Sequence, residues 1–505
     1  MGTPSRHDVP VFRRIRTERA AAALLALALS GCGIFAVDSG KAPAAPPPSG
    51  SATPADPGTD VPDDLDEAES ETREDSVYPL AGDPSVDALH YDLSLAWTPD
   101  SDTLVATERL TFRSTADADH FQLDFDDALT IDSLTVDGKD ASFDRSDKDL
   151  VINHAVKADD EYTLVLAYQG TPEPYPAPTE RSDFTLGEGW HITDEHQVWT
   201  IQEPYGAFTW YAANDQPADK AFYDFTLTVP APWTGIANGK LTDTTDSDGL
   251  RTTTWHLDEP ASSYLVTVAF GDYTPAHLES ASGVPVTIWG PTDDPEASGD
   301  TGYAGEAIDW LENYLGPYPF DTFGILLYDG DSGMETQTMV TLGATPYATS
   351  RAVVVHELTH HWYGDTVTPT DWRDLWMNEG MAMYLQGMWE AEDEGISIDE
   401  KMDSWAGYEA ESREYSGPPG DYDPQKFGDG NVYYGPALMW NELRRKVGDD
   451  VFFALIRDWP QEHASQSADR EEYLSWIEDR TGLELTSFFD DWLLGETTPP
   501  RTSGG

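Results

Sequence analysis

Alternating apolar residues dominate the first half of the chain. Every second residue of Leu89–Trp97 is apolar, and the segments 104–112 and 162–168 have similar patterns. Alternation with a period of two is typical of strands that bury one face. Turn dipeptides such as Asp137-Gly138 separate these segments. Residues 78–273 are therefore predicted to form an antiparallel β-sandwich.

Helical periodicity replaces this alternation in the second half. Residues 303–314 are amphipathic, and a proline-rich stretch then ends the pattern. A short strand is expected around residues 323–328, and further helical patterns follow at 437–447, 451–458 and 470–480. Residues 274–496 are therefore predicted to form a second, mainly helical α+β domain, and residues 497–505 a tail.

The start of the chain has the order of a secretory leader. Four arginines between residues 13 and 19 precede an apolar run at residues 20–29, so residues 1–31 are predicted to be a signal peptide. The next residue, Cys32, follows Leu-Ser-Gly, an arrangement that resembles a bacterial lipobox. The resemblance implies an acylated Cys32 and a place on the extracellular face of the cell envelope. The alternative is a secreted protein with a free thiol.

Replacing Cys32 tests this anchor directly. Cys32→Ala is expected to move the protein from the membrane fraction to the soluble fraction, because the acyl chain would have no attachment point. Fractionation followed by immunoblotting measures the shift. A variant that stays with the membranes to the same extent as the wild type would rule the anchor out.

Composition limits the remaining possibilities. The chain has 93 acidic and 29 basic residues, a formal charge of -64, which argues against nucleic acid or anionic lipid as partners. Cys32 is the only cysteine, so an internal disulfide is impossible. Residues 32–77 are rich in Pro, Ala, Ser, Asp and Glu, so this segment is predicted to be a disordered tether that follows the lipidated cysteine.

One short motif carries metal chemistry. In His356-Glu357-Leu358-Thr359-His360 the histidines are four residues apart, so a helix places both imidazoles on one face. Eighteen residues separate His360 from Glu379, which can supply a third ligand. Two histidines and one carboxylate leave a fourth position of Zn²⁺ open, which is typical of catalytic sites. Glu357 is then placed to take a proton from water.

The segment 355–385 resembles the aminopeptidase N family of gluzincin zinc peptidases. The resemblance implies one zinc per chain, a saddle-like β-sandwich, a thermolysin-like catalytic domain and peptide substrates with a free N-terminus. Gly333, Met334 and Glu335 match the centre of the family's exopeptidase signature, although Ser332 and Thr336 depart from its ends. In the family this Glu binds the substrate α-ammonium. Larger members add a helical domain, which this chain is expected to lack.

Two further roles follow from the same resemblance. A Gln or Glu of the first domain contacts the substrate amine, and Glu203 is the expected equivalent, with Gln202 as the second choice. A tyrosine stabilises the oxyanion, and alignment selects Tyr433 over Tyr434, although Gly435 and Pro436 replace a basic residue and a glycine of the family motif.

Three alternatives stay open at this stage. Asp374 either orients a liganding imidazole or begins a helix. Because Ser332 and Thr336 depart from the exopeptidase signature, the same metal site could instead belong to an endopeptidase or a broad peptidase. A non-catalytic binding lipoprotein with a retained zinc site is the third possibility. The sequence does not indicate the preferred first residue, the physiological substrate or the oligomeric state.

Overall fold

The computed structural model describes residues 50–54 and 65–501. The predicted signal peptide, Cys32, most of the predicted tether and the last four residues lie outside this range. Among the described residues, none of the helices combines the length and the apolar character that a membrane crossing requires.

The first domain consists of β-strands. Its strands, in chain order, are β1 Val86–Thr98, β2 Thr103–Ser114, β3 Phe121–Asp124, β4 Leu129–Val136, β5 Lys139–Asp140, β6 Ser142–Ser146, β7 Asp149–Asn153, β8 Glu161–Gly170, β9 Gly189–Ile192, β10 Val198–Ile201, β11 Lys220–Pro230, β12 Thr234–Ala237, β13 Lys240–Ser247, β14 Leu250–Ser262 and β15 Val268–Gly271.

These strands form three sheets in the described part of the chain. The largest has the order β13-β14-β11-β1-β2-β8-β4-β5, the second β12-β15-β10-β9 and the smallest β3-β7-β6. All pairs are antiparallel except β1 with β11, which is parallel. The prediction of a purely antiparallel sandwich is wrong at this pair, because β11 returns beside β1 only after the chain has built the intervening strands.

Strand β1 is buried on both faces. Its apolar side carries Tyr91, whose ring stacks on Tyr223 at 5.0 Å in the core. On the other side, His90 Nε2 lies 2.9 Å from the Asp224 carboxylate. The sequence pattern predicted one buried face only, because polar residues that are buried in pairs look the same in a sequence as solvated ones.

The second domain is a smaller sheet covered by helices. Its elements are β16 Tyr273–Glu279, β17 Pro285–Pro291, α1 Ala304–Leu315, β18 Phe323–Tyr328, β19 Gly333–Met334, β20 Met339–Gly343, α2 Arg351–His360, β21 Val367–Pro369, α3 Trp376–Glu394, α4 Ile398–Ser416, α5 Gly430–Val447, α6 Asp449–Glu462, β22 Gln466–Ala468, α7 Arg470–Thr481 and α8 Thr486–Leu493. The sheet order is β16-β17-β18-β20-β19. The predicted class, a β-sandwich followed by a mainly helical domain, is confirmed.

Helices α2, α3 and α5 form the centre of this domain. Helix α2 begins after Ser350, whose side chain accepts a hydrogen bond from the Val353 amide, and it is buried from Val353 to His360. Helix α3 packs against both α2 and α5. The contact with α5 is close, because a Cβ on Gly380 would lie 2.3 Å from the Pro436 Cβ. Buried helices of this kind fix side-chain positions well.

Residues 65–77, here called the strap, are ordered and contact the folded domains. The prediction of a disordered tether is therefore wrong for these residues. Residues Leu65–Ala68 form a turn of 3₁₀ helix, and Ala68 is buried against Leu89 and Phe222 of the first domain. The composition of this segment predicted disorder because it contains few apolar residues. Its contacts are instead mostly polar, with folded partners that are distant in the sequence.

The far end of the strap contacts the second domain. The Asp75 carboxylate accepts a hydrogen bond from the Trp372 amide at 2.7 Å, and the Ser76 amide donates to Asp371 at 2.8 Å. Burial raises the pKa of Asp75 to about 6, with the nearby Asp371 charge adding to the rise. Trp372 lies four residues before α3 begins, so the strap supports the approach to that helix.

Candidate metal and substrate site

Three buried donors from α2 and α3 converge on one point. His356 and His360 are one turn apart on α2, and Glu379 lies in the first turn of α3. Glu379 Oε2 is 3.2 Å from His356 Nε2 and 3.5 Å from His360 Nε2. Tetrahedral ligands about 2.1 Å from a zinc ion are separated by about 3.4 Å. The donor set therefore fits Zn²⁺ and leaves a fourth coordination position for another ligand.

The other ring nitrogens fix the two imidazoles. His360 Nδ1 lies 3.1 Å from the carbonyl oxygen of Tyr363, so it is the protonated nitrogen and Nε2 is free to bind metal. His356 Nδ1 is buried with no hydrogen-bond partner in the described part of the chain. Burial lowers the pKa of His356, while Glu379 and, more weakly, the neighbouring Gln386 act to raise it. Gln386 in turn donates to Glu390 at 2.9 Å.

Asp374 does not orient either imidazole, so that alternative is wrong. Its carboxylate accepts hydrogen bonds from the Trp376 indole at 3.1 Å and from the Arg470 amide at 3.0 Å. These contacts join the start of α3 to the start of α7. The Tyr363 carbonyl instead contacts His360 Nδ1, and Gln386 is the polar side chain beside His356.

The position of Gln386 predicts an effect on metal affinity. Gln386→Leu is expected to weaken zinc binding by roughly 10- to 100-fold, because the buried His356 Nδ1 would lose the polar side chain beside it. Tyr434→Phe, a buried substitution on α5 that packs against Trp405, should stay close to the wild type. Competition with a chromogenic chelator measures the dissociation constant without any activity assay. Equal affinities for all three proteins would contradict this role.

Three further carboxylates surround the metal donors. Glu203 follows β10, Glu335 follows β19 and Glu357 lies on α2, and all are buried. Glu335 and Glu357 lie within 4.8 Å of the His360 donor atom, and Glu203 and Glu335 lie within 4.8 Å of the Glu379 donor atom. One oxygen each of Glu203 and Glu335 has no hydrogen-bond partner in the described part of the chain.

The buried carboxylates of this cluster repel one another, and bound cations would offset that repulsion. Burial, with the neighbouring carboxylates, raises the pKa of Glu203, and burial raises the pKa of Glu357 to about 8. Burial also acts to raise the pKa of Glu379, but His360 and His356 outweigh it and hold that pKa well below its usual value. Four buried carboxylates carry four negative charges when ionised. A zinc ion, one ammonium group and the nearby Arg181 would balance them.

Of the two candidate substrate-amine residues, Glu203 faces the cluster and Gln202 does not. The Gln202 side chain donates to the Ser263 carbonyl at 2.7 Å and accepts from the Trp210 indole at 2.8 Å. With its amide used inside the first domain, Gln202 has no direct route to a ligand.

The Gly333-Met334-Glu335 segment forms the edge of the small sheet beside Glu357. Gly333 pairs with Leu342 across β19 and β20, and a Cβ on Gly333 would lie 2.4 Å from Glu357 Oε1. Any larger residue at this position would displace the Glu357 carboxylate from its observed place. Met334 is buried. The hydroxyl groups of Thr336 and Thr341 form a hydrogen bond of 3.0 Å. Thr336, which departs from the family signature, therefore links the residues just after β19 to β20 through this hydrogen bond.

The two adjacent tyrosines of α5 have different surroundings. The Tyr433 ring stacks on His356 at 5.9 Å, and its hydroxyl accepts a hydrogen bond from Arg181 at 3.2 Å. Tyr434 instead packs against Trp405 at 5.6 Å, away from the metal donors. Adjacent positions on a helix point about 100° apart, so only Tyr433 faces the site.

Sequence reasoning missed Arg181 and Gln386. Arg181 belongs to a loop of the first domain without any periodic pattern, and it reaches the site through space. Gln386 lies seven residues after Glu379, two turns along the same face of α3. That spacing is the signal that could have found Gln386, whereas the sequence contains no comparable signal for Arg181.

A two-domain metallopeptidase is the class that this fold and donor set define. A family model described as the peptidase M1 N-terminal domain matches residues 87–265, and one described as the peptidase family M1 domain matches residues 302–492. Together they cover most of the chain. The chain belongs to the M1 peptidase family.

Solved structures have the same architecture. The M1 zinc metallopeptidase from Deinococcus radiodurans aligns with a TM-score of 0.78 and 24% identity, over 86% of this chain and 100% of that chain. A mutant of that protein bound to a Tyr-Ser-Ala substrate aligns with a TM-score of 0.76 and 24% identity, over 85% of this chain and 99% of that chain. At this identity the likeness concerns the fold.

Among curated relatives, aminopeptidase N of Streptomyces lividans is 26% identical over 345 residues, which is 61% of this chain and 39% of that protein. Aminopeptidase A of Gloydius brevicauda is 27% identical over 327 residues, which is 58% of this chain and 33% of that protein. The matched parts of this chain thus span well under half of the length of these relatives.

Proposed function

We propose that this protein is a zinc-dependent aminopeptidase that removes N-terminal residues from peptides. One observation carries the proposal. Glu203 and Glu335 are buried beside Glu379, and one oxygen of each has no partner in the part of the chain that the structure describes. A substrate α-ammonium offers three donors and a positive charge, which these oxygens require. The matched relatives are named aminopeptidases.

The residues divide the chemistry among them. Zinc held by His356, His360 and Glu379 would supply Lewis-acid polarisation of the scissile carbonyl and of water. Glu335 and Glu203 bind the α-ammonium and so place the first peptide bond at the metal. Glu357 takes a proton from the attacking water and passes one to the leaving amine.

Tyr433, whose ring stacks on His356, supplies the remaining group. Its phenol keeps its proton at neutral pH, because burial and the Glu379 charge raise its pKa well above the usual value. It therefore donates a hydrogen bond to the oxygen that becomes negative as water attacks. Donors already in place before the reaction need no reorganisation as that charge forms.

Hydrolysis of matched substrates tests the proposal. The wild-type protein is expected to release the first residue from aminoacyl-arylamides and short peptides, to lose this activity with a chelator, and to regain it with zinc. N-acetylated versions of the same peptides should resist cleavage. Equal cleavage of free and acetylated peptides would favour an endopeptidase. Stoichiometric zinc without any hydrolysis would favour a binding protein.

Glu335 is predicted to confer the requirement for a free amine. Glu335→Gln should lower kcat/KM for free aminoacyl-arylamides by roughly 100-fold, because one charged acceptor of the ammonium is lost. Since the mutated side chain is not a zinc ligand, metal content should stay at one per chain. Glu108→Gln, at a buried glutamate of the first domain that accepts a hydrogen bond from the Ala212 amide, serves as the control. An unchanged kcat/KM in Glu335→Gln would contradict amine binding by this residue.

A further inference from the structure

Arg181 reaches the proposed site from a loop of the first domain. Its Nη1 donates to the Gly428 carbonyl at 2.6 Å and to the Tyr433 hydroxyl at 3.2 Å. The guanidinium also stacks over the Phe184 ring at 4.6 Å. A cation is thus held beside Tyr433, the tyrosine of α5 that stacks on His356.

The loop around Arg181 docks on the segment that precedes α5. The Glu180 amide donates to the Gln425 carbonyl at 2.9 Å, and the Thr179 hydroxyl donates to the Phe427 carbonyl at 3.0 Å. Glu180 also forms an ion pair with Lys426. Several contacts therefore hold the residues just before Arg181 against the residues just before Gly428.

The space for the guanidinium depends on one glycine. Gly428 has a φ of 66°, and a Cβ there would lie 2.4 Å from Arg181 Nη1. The left-handed backbone turns the Gly428 carbonyl towards the guanidinium while the missing side chain leaves room for it. The backbone of Gly428 therefore forms a place that fits the Arg181 guanidinium.

The hydrogen bond has only one possible direction. A guanidinium carries donors and no acceptor, so the Tyr433 oxygen must accept. The Tyr433 proton is then turned away from Arg181 and remains available to a second acceptor. The guanidinium charge, which lies beside the oxygen of that hydroxyl, also polarises the O–H bond. Both effects make Tyr433 a better donor.

We propose that Arg181 is a positioning residue that acts through Tyr433, orienting and polarising its hydroxyl towards the oxyanion. This inference rests on the proposed function. It also gives the first domain a second part in the reaction, besides the amine contact of Glu203. The contact across the domains then contributes to the rate as well as to the stability of the interface.

A double-mutant cycle tests this coupling. Arg181→Gln is expected to lower kcat on an aminoacyl-arylamide by roughly 10-fold, with KM changed by less than about threefold. In a Tyr433→Phe background the same substitution should cost less than about twofold, because the hydroxyl through which it acts is gone. A phosphonate mimic of the tetrahedral species gives the same cycle as inhibition constants when residual rates are too low.

Two controls separate this role from general loosening. Glu180→Gln removes the ion pair of the same loop without touching Tyr433, so kcat should change by less than about twofold. Arg181→Lys keeps the charge but loses the planar fork, and it should fall between wild type and Arg181→Gln. Thermal unfolding and zinc content check that each variant is folded and loaded.

Two results would overturn the coupling. The first is an equal loss from Arg181→Gln in the wild-type and Tyr433→Phe backgrounds. The second is a rise in KM confined to peptides with a free C-terminal carboxylate and absent from their amides, which would make Arg181 a substrate-binding residue. A wild-type protein that hydrolyses neither arylamides nor peptides would instead refute the proposed function itself.

Discussion

Glu357→Gln is expected to abolish nearly all turnover while leaving the zinc in place. The loss in kcat on aminoacyl-arylamides should be on the order of 10³-fold, because an amide cannot accept the proton of the attacking water. Glu357 is not one of the three metal donors, and Gln has nearly the same shape. The Gln side chain therefore still fits against Gly333.

The experiment compares kcat with metal content and thermal unfolding. Glu108→Gln is a matched control, since Glu108 is also buried and burial also raises its pKa to about 8, but it lies in the first domain, where it accepts a hydrogen bond from the Ala212 amide. This control should keep its turnover. Activity of Glu357→Gln within tenfold of the wild type would eliminate Glu357 as the base.

Tyr433→Phe is the second substitution with a large expected effect. Removing one donor to a developing oxyanion should lower kcat by roughly 10²- to 10³-fold, whereas KM should change little because the contact forms mainly in the transition state. The ring stays in place, so the packing on His356 is preserved. Steady-state kinetics on one arylamide separate the two parameters.

The neighbouring tyrosine supplies the control for this substitution. Tyr434 is also buried, and it packs against Trp405 and Tyr408. Tyr434→Phe removes the same atom one residue away and should keep kcat within about threefold. If Tyr434→Phe loses more activity than Tyr433→Phe, the assignment of the oxyanion donor is reversed.

The metal donors could be predicted because their geometry is local. His356 and His360 share one helical face, and Glu379 lies in the first turn of the next helix, so the spacing was enough to propose the three as one donor set. The choice between Tyr433 and Tyr434 needed the resemblance or the structure, since only the rotation of α5 decides which ring faces His356. That rotation depends on close packing, such as Pro436 against Gly380, which no spacing reveals.

The features that escaped prediction all depend on contacts through space. Arg181 reaches Tyr433 from a different domain, across 252 residues of sequence. Asp374 matched the expected chemistry but bonds Trp376 and the Arg470 amide instead. The strap looked disordered because its composition is polar, and composition does not record that Asp75 and Ser76 have fixed partners in the second domain.

The strap also bears on where an independently folding fragment can begin. The N-terminal family match starts at Asp87, which invites truncation there. A fragment starting at residue 87 would leave the Trp372 amide without the Asp75 acceptor and would uncover the apolar patch at Leu89 and Phe222. Trp372 precedes the helix that carries Glu379. Trimming the strap would thus loosen a metal ligand more than 300 residues away, so the smallest reliable fragment begins no later than Leu65.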